Sequence, residues 1–262
     1  MAVTVLVKLG GAAITNKAEF ESLNVESLRA SASSIKRAVE STGKGTETRF
    51  VVVHGAGSFG HHQAKKASLR GLFEPAGNGV PLSEEPLSEE QKTGFADTRL
   101  SVQKLNLEVV EALLRAGVRA VGCSPFSAGV SCGAGEGGCS NLIKLVEDCL
   151  QRGYVPVVHG DACFVQQDVD GGGIVGGDPI TEVLAARFCS QGKGKCIFVT
   201  DVAGIYPSNP KVDFDRAKNP LIEEIVVNCQ GQIINLDTTT IATDSSAGSV
   251  DVTGGMAAKI ER

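Results

Sequence analysis

The 262-residue sequence has no apolar run of about 18 residues, so it offers no candidate membrane-spanning helix. It has no basic excess either: 25 lysines and arginines face 30 aspartates and glutamates, a formal net charge of −5. A dedicated nucleic-acid binder needs a basic stripe to displace counterions, and that class is set aside. None of the 8 cysteines forms a C-x-x-C pair or has a histidine at zinc-finger spacing. They read as reduced core or surface thiols of a cytoplasmic protein, with no metal site among them. The start, Met1–Lys8, lacks the charged head and cleavage site of a secretory signal. Also missing are G-x-x-x-x-G-K-[ST], H-R-D, D-F-G and G-x-S-x-G, so neither a P-loop NTPase nor a protein kinase is indicated. Tryptophan is absent altogether.

What is present is ordinary globular material. Hydrophobic residues make up 42% and charged residues 21%, which excludes wholesale disorder. The length suits one large α/β domain or two small lobes. Short β-branched runs alternate with amphipathic stretches. Strands are expected at Val3–Val7, Phe50–Val53, Val118–Gly122, Tyr154–Val158, Cys196–Thr200 and Ile222–Val227. Helices are expected at Val25–Val39, Ser101–Ala116, Leu142–Leu150 and Pro179–Phe188, with Gly117 ending the second. Alternation of this kind predicts a largely parallel sheet flanked by helices. Three segments break the rhythm: an exposed Pro/Gly and acidic loop over 70–92, a glycine-rich loop over 131–140, and a Thr/Ser/Asp-rich stretch over 228–252. No clean linker appears, so two lobes sharing one sheet are expected.

Ligands of such sheets bind at the carboxyl ends of the strands. After the first strand comes Lys8-Leu9-Gly10-Gly11-Ala12-Ala13, then Thr15 and Lys17. Paired glycines let the backbone approach a phosphate, and two lysines add point charges. After the second comes His54-Gly55-Ala56-Gly57-Ser58-Phe59-Gly60-His61-His62, which contains G-x-G-x-x-G. Glu74, at the distance of a ribose carboxylate, lies in the Pro/Gly loop, so a phosphate-bearing substrate fits better than a nicotinamide. His61, placed where the next helix begins, would donate to a phosphate oxygen. His54 reads as structural and His62 as solvated. His159-Gly160-Asp161 follows a third strand, and Asp178 is placed either to cap a helix or to orient lysines or Mg²⁺. Asp201 to Pro210 suits a nucleotide pocket with Tyr206 as a wall, and Thr253-Gly254-Gly255 precedes a helix carrying Lys259. Together these anion nests and lysines point to phosphoryl transfer.

These residues also carry a resemblance. Lys8–Ala12 with Thr15 and Lys17, H-G-A-G-S-F-G-H over 54–61, His159–Asp161, Gly177-Asp178, T-D-V-A-G-I-Y-P-S-N-P over 200–210 and Thr253–Lys259 occur in the order of the amino-acid-kinase superfamily. The sequence resembles that superfamily and, through S-F-G-H ending in His61, its isopentenyl phosphate kinase family. The resemblance implies a three-layer αβα sandwich, usually homodimeric. It implies a substrate-binding lobe over approximately 1–175 and a nucleotide-binding lobe over 176–262. It implies ATP-dependent phosphorylation of isopentenyl phosphate to isopentenyl diphosphate, with Mg²⁺. On that reading Lys8, Leu9, Gly10, Gly11 and Ala12 lie along the ATP phosphates, with Gly57 facing them. Lys17 stabilises the transferring group, and Ala56, His61 and Gly160 hold the acceptor phosphate. Asp201, Gly204 and Tyr206 border the nucleotide, Gly255 and Lys259 reach its phosphates, and Asp178 orders the lysines or Mg²⁺.

No covalent intermediate or strong base is needed, because a phosphate acceptor is already ionised near pH 7. An oily slot for the acceptor's tail is expected around Phe95, the Thr98–Ala116 helix and Phe126. Two departures stand out: Ala12-Ala13 where a serine and a β-branched residue are common, and Pro179 after Asp178. The sequence stops one turn into the helix that carries Lys259, so the nucleotide lobe is expected to be incomplete and this chain weakly active or unstable. Alternatives are a kinase for another small phosphate or phosphonate such as fosfomycin, a catalytically silent ligand-binding relative, and a dehydrogenase using Gly55–Gly60.

Overall fold

The computed structural model describes residues 2–41, 47–69, 86–131, 138–165, 171–190, 194–206, 215, 219–226 and 234. Five strands form a wholly parallel sheet: β1 (Val3–Leu9), β2 (Thr48–His54), β3 (Ala120–Cys123), β4 (Val155–His159) and β7 (Gly194–Val199). Their spatial order is β3-β4-β2-β1-β7. A separate antiparallel hairpin pairs β5 (Asp161–Phe164) with β6 (Gly172–Val175). The helices are α1 (Gly11–Ile14), α2 (Val25–Ser41), α3 (Gly57–Lys66), α4 (Glu89–Arg115), α5 (Ser140–Gln151) and α6 (Gly177–Phe188).

Side-chain alternation along the strands builds two cores. Leu6, Val51, Val53 and Val158 face α5 and α6, where Leu142, Val146, Ile180 and Leu184 cover them. Val7, Leu9, Phe50, Val52 and Val157 face α2 and α4, against Leu28, Ile35, Leu105, Val109 and Leu113. The result is a three-layer αβα sandwich. The chain winds from β1 through α2 to β2 on one face, and through α6 to β7 on the other. The connections from β1 to β2 and into β7 leave β1 in opposite directions, the arrangement in which such sheets bind ligands at the carboxyl ends of their strands.

Most expected elements stand, and the differences have physical reasons. The helix expected from Ser101 starts at Glu89, so Glu89–Lys92 belong to α4 and not to a loop. Ser88 accepts from Gln91 N–H while the Gln91 side chain accepts from Ser88 N–H, a reciprocal cap. At the far end Gly117 takes φ +86°, and Gly117 and Val118 donate back to Leu114 and Leu113. The strand expected over Ile222–Val227 does not form: residues 221–226 make one antiparallel bridge, Ile205 to Ile222, and no ladder. No described helix is long and apolar enough to cross a membrane.

Residues Met1–Val199 and Thr200–Arg262 form two compact units. In the second, Asn219 donates to the Asp215 carbonyl, Leu221 lies against Gly204, and Tyr206 and Asn219 are buried. The Thr/Ser/Asp-rich stretch over 228–252 lies almost wholly outside the described residues.

Candidate active site

Three strand-end loops meet backbone to backbone at the carboxyl ends of the strands. A Cβ on Gly11, after β1, would stand 2.5 Å from the Gly57 nitrogen, after β2. A Cβ on Gly160, after β4, would stand 3.2 Å from the Gly177 nitrogen, and one on Gly177 would meet Lys8 Cε at 2.8 Å. Only glycine permits such approaches. They draw Lys8, Gly10, Gly11, Ala56, Gly57, Gly160 and Asp178 into one place.

Lys8 lies inside β1 on the α6 face, 4% exposed, and its Nζ donates to Asp178 Oδ1 at 2.6 Å. Asp178 therefore does not cap α6, as one reading of its position expected. The cap residue is Gly176, and no side-chain oxygen caps this helix. Asp178 stands in the first turn, where the helix N-terminus favours its charge, and its carboxylate is turned to the lysine.

The loop after β1 is tied down by hydroxyls, Thr15 from its own motif and Ser58 from the motif after β2. Thr15 Oγ1 donates to the Gly11 carbonyl and accepts from Ser58 N–H. Ser58 and Ser22 exchange hydrogen bonds, Ser58 Oγ to the Ser22 carbonyl and Ser22 N–H to Ser58 Oγ. Gly10 N–H is committed to the Val199 carbonyl of β7, whereas Gly11 and Ala12 N–H meet no backbone acceptor among the described residues. Lys17 is exposed in the small loop that Thr15 and Leu23 close, and its carbonyl accepts from His62 Nε2 at 3.2 Å.

The helix after β2 begins at Gly57, so His61 is its fifth residue and not its first, as expected. His61 is half-buried on α3. One turn further, Ala64 joins an apolar cluster with Phe95 of α4 and Ala162 of β5. Phe95 stacks on Phe164 at 5.2 Å and meets Phe126 edge-on at 6.0 Å. The expected oily region thus exists, with Phe164 added to it. Beside it, Arg99 lies 3.7 Å over the Phe126 ring and donates to Asp161 Oδ1 and Ser124 Oγ. Ser124 Oγ in turn donates to Asp161 Oδ2 at 3.0 Å. Arg99 and Asn106, seven residues apart on α4, flank its apolar stripe.

His54 and His159 are fully buried. Burial and the neighbouring His159 hold His54 neutral, its pKa pushed down to about 3. Burial also pushes His159 down, against the pull of Asp161. No group of three or more His, Cys, Asp or Glu fit to hold a metal occurs among the described residues. Asp201, Gly204 and Tyr206 lie in the second unit, with Asp201 exposed. Gly255 and Lys259 lie outside the described residues.

Comparison with known proteins identifies the family. The Amino acid kinase family profile matches residues 3–262. An isopentenyl phosphate kinase of Arabidopsis thaliana is 35% identical, covering 97% of this chain and 81% of that protein. One from Methanothermobacter thermautotrophicus is 32% identical, covering 98% and 84%. Among solved structures, an isopentenyl phosphate kinase superposes with TM-score 0.62 at 31% identity, over 81% of this chain and 77% of that one.

Proposed function

The chain belongs to the amino acid kinase family and, within it, to the isopentenyl phosphate kinases, and from that premise we propose how its residues work. It is a phosphotransferase that moves the terminal phosphate of ATP to isopentenyl phosphate, giving isopentenyl diphosphate. The observation that carries the site reading is the close approach of Gly11 to Gly57 and of Gly160 to Gly177, the last lying against Lys8.

Two anions must meet in line, so repulsion between them is the main obstacle. Lys8 stands between the glycine loops, where a buried ammonium neutralises charge strongly. Asp178 holds it in place. Gly11 and Ala12 N–H and the reach of exposed Lys17 serve the ATP phosphates, and Gly57 faces them. Ala56, His61 and Gly160 hold the acceptor phosphate, His61 as hydrogen-bond donor and not as base. The isopentenyl tail lies over Ala64, Phe95, Phe126 and Phe164, one helical turn from His61. Asp201, Gly204, Tyr206, Gly255 and Lys259 serve the nucleotide.

The chain supplies no cage for Mg²⁺ among the described residues, and Asp178 is engaged by Lys8. Mg²⁺ would come with the nucleotide's own phosphates, and Asp178 is the carboxylate the site would offer it. When bound it screens charge on the phosphates.

The protein works as a homodimer in the cytoplasm. On α4, Leu100, Leu107 and Leu114 are 57%, 67% and 52% exposed at seven-residue spacing. Antiparallel pairing of two such helices about Leu107 sets Leu100 against Leu114. All six described cysteines are free thiols, which suits a reducing compartment. The test is a coupled ADP-release assay with isopentenyl phosphate and Mg²⁺. Turnover there, and none with phosphate-free isopentenol, is the expected result. An ATP-binding protein that turns over neither this nor another alkyl phosphate would overturn the reading.

A further inference from the structure

His54 and His159 end β2 and β4 in register with each other, and their rings stack 5.6 Å apart at 25°. An apolar pair would fill this rung of the sheet at lower desolvation cost. Both imidazoles make the same bond instead. His54 Nδ1 lies 3.1 Å from the Gly55 carbonyl oxygen, and His159 Nδ1 lies 2.9 Å from the Gly160 carbonyl oxygen. A carbonyl only accepts, so the single proton of neutral His159 stands on Nδ1, its Nε2 having no partner among the described residues. The Gly160 carbonyl is the hydrogen bond that ring serves. His54 faces two oxygens, the Gly55 carbonyl at Nδ1 and Asn106 Oδ1 at Nε2, 3.2 Å away. The Gly55 carbonyl cannot become a donor, whereas the Asn106 amide can turn its NH₂ to Nε2, so the proton is assigned to Nδ1 and Asn106 locks the ring from α4.

In a trans peptide the carbonyl and the next N–H point opposite ways, and the described chain has no cis peptide. Drawing the Gly55 oxygen toward the ring beneath it aims Ala56 N–H away from that ring. Drawing the Gly160 oxygen turns Asp161 N–H to the Val175 carbonyl in the β5–β6 ladder, so that donor is already committed. Ala56 N–H has no acceptor among the described residues.

We propose that His54 is a positioning residue that fixes the Gly55–Ala56 peptide plane, so that Ala56 N–H faces the acceptor phosphate. The proposal rests on the acceptor site described above. The ring touches no substrate and acts through the glycine peptide above it.

The experiment compares His54→Leu and His54→Asn with wild type. The Asn amide nitrogen stands where Nδ1 stood. Loss of a donor aimed at a charged phosphate raises the acceptor KM about ten- to hundredfold. That rise is expected in His54→Leu with the ATP KM unchanged, and His54→Asn recovers most of it. A folded Leu variant with wild-type acceptor KM overturns the proposal, as does Asn behaving like Leu. If the Leu variant does not fold, the side-chain ¹H–¹⁵N spectrum of wild type decides. An Nδ1–H tautomer of His54 supports the proposal, and an Nε2–H tautomer overturns it. Wild type that phosphorylates no alkyl phosphate overturns the acceptor reading instead, and the tautomer spectrum still decides the peptide clamp.

Discussion

Lys8 and Asp178, 170 residues apart in sequence, stand 2.6 Å from each other at the ends of β1 and the start of α6. The pair joins the first strand to the last helix of the layer at the point where phosphates are to meet. Removing one partner leaves the other charge buried, which costs about 3–5 kcal/mol. Asp178→Asn is therefore expected to lower the urea midpoint sharply. Lys8→Met is expected to lower kcat about 100- to 1000-fold, the scale of losing one preorganised donor. The double variant Lys8→Met/Asp178→Leu is expected to regain stability and not activity. Recovery of kcat in the double variant would show that Lys8 serves the fold alone.

His61 is half-buried on α3, one turn before Ala64. His61→Ala is expected to cut kcat/KM for isopentenyl phosphate about 10- to 100-fold, with ATP binding intact, since one hydrogen bond to a charged group is lost. Steady-state kinetics with each substrate varied in turn measures it. Equal losses toward both substrates would remove His61 from the acceptor phosphate.

The buried imidazoles set a pH dependence of stability. His54 takes up its proton near 6.5 in the unfolded chain and only at about 3 in the fold. Between those values the unfolded state binds more protons, so stability rises with pH and is lost as pH falls through the window. The slope contributed by one such group reaches about 1.4 kcal/mol per pH unit. Urea midpoints measured from pH 7 to 5 should fall, and His54→Asn should flatten the fall. Parallel slopes in wild type and variant would mean that other groups set the dependence.

The exposed leucines of α4 predict the oligomeric state. Leu107 stands midway along the stripe and is 67% exposed. Leu107→Glu places like charges opposite each other in an antiparallel pair. Sedimentation should then give a monomer where wild type gives a dimer, with folding intact. A monomeric wild type, or a dimeric variant, would move the interface elsewhere.

Much of this was legible in the residues, and what was not has local causes. The Val-rich strands and the ends of α2, α5 and β4 follow from periodicity, because each buries one clear stripe. The start of α4 was hidden by the acidic, proline-bearing run before it, although Ser88 and Gln91 carry the capping signal. The start of α3 was hidden by its glycines, which read as loop. Those glycines serve close packing: a Cβ on Gly60 would collide with Ala56 and crowd Val102 of α4. The strand over Ile222–Val227 had the right composition and lacked a ladder partner among the described residues. At the site, glycines and lysines announced themselves at strand ends. Asn106 and Arg99 did not, because their partners, His54 and Asp161, lie 52 and 62 residues away.

The 27-residue span of α4 has one more consequence. It is a rod of about 40 Å at the usual helical rise. Phe95 faces the tail cluster near one end, Arg99 follows a turn later, and Asn106 holds His54 two turns beyond that. Recognition of the alkyl group and alignment of the phosphate cradle thus have separate addresses on one rigid element, about 16 Å apart. A lineage could retune the hydrocarbon it accepts by substitutions at the first address while the chemistry at the second stayed untouched.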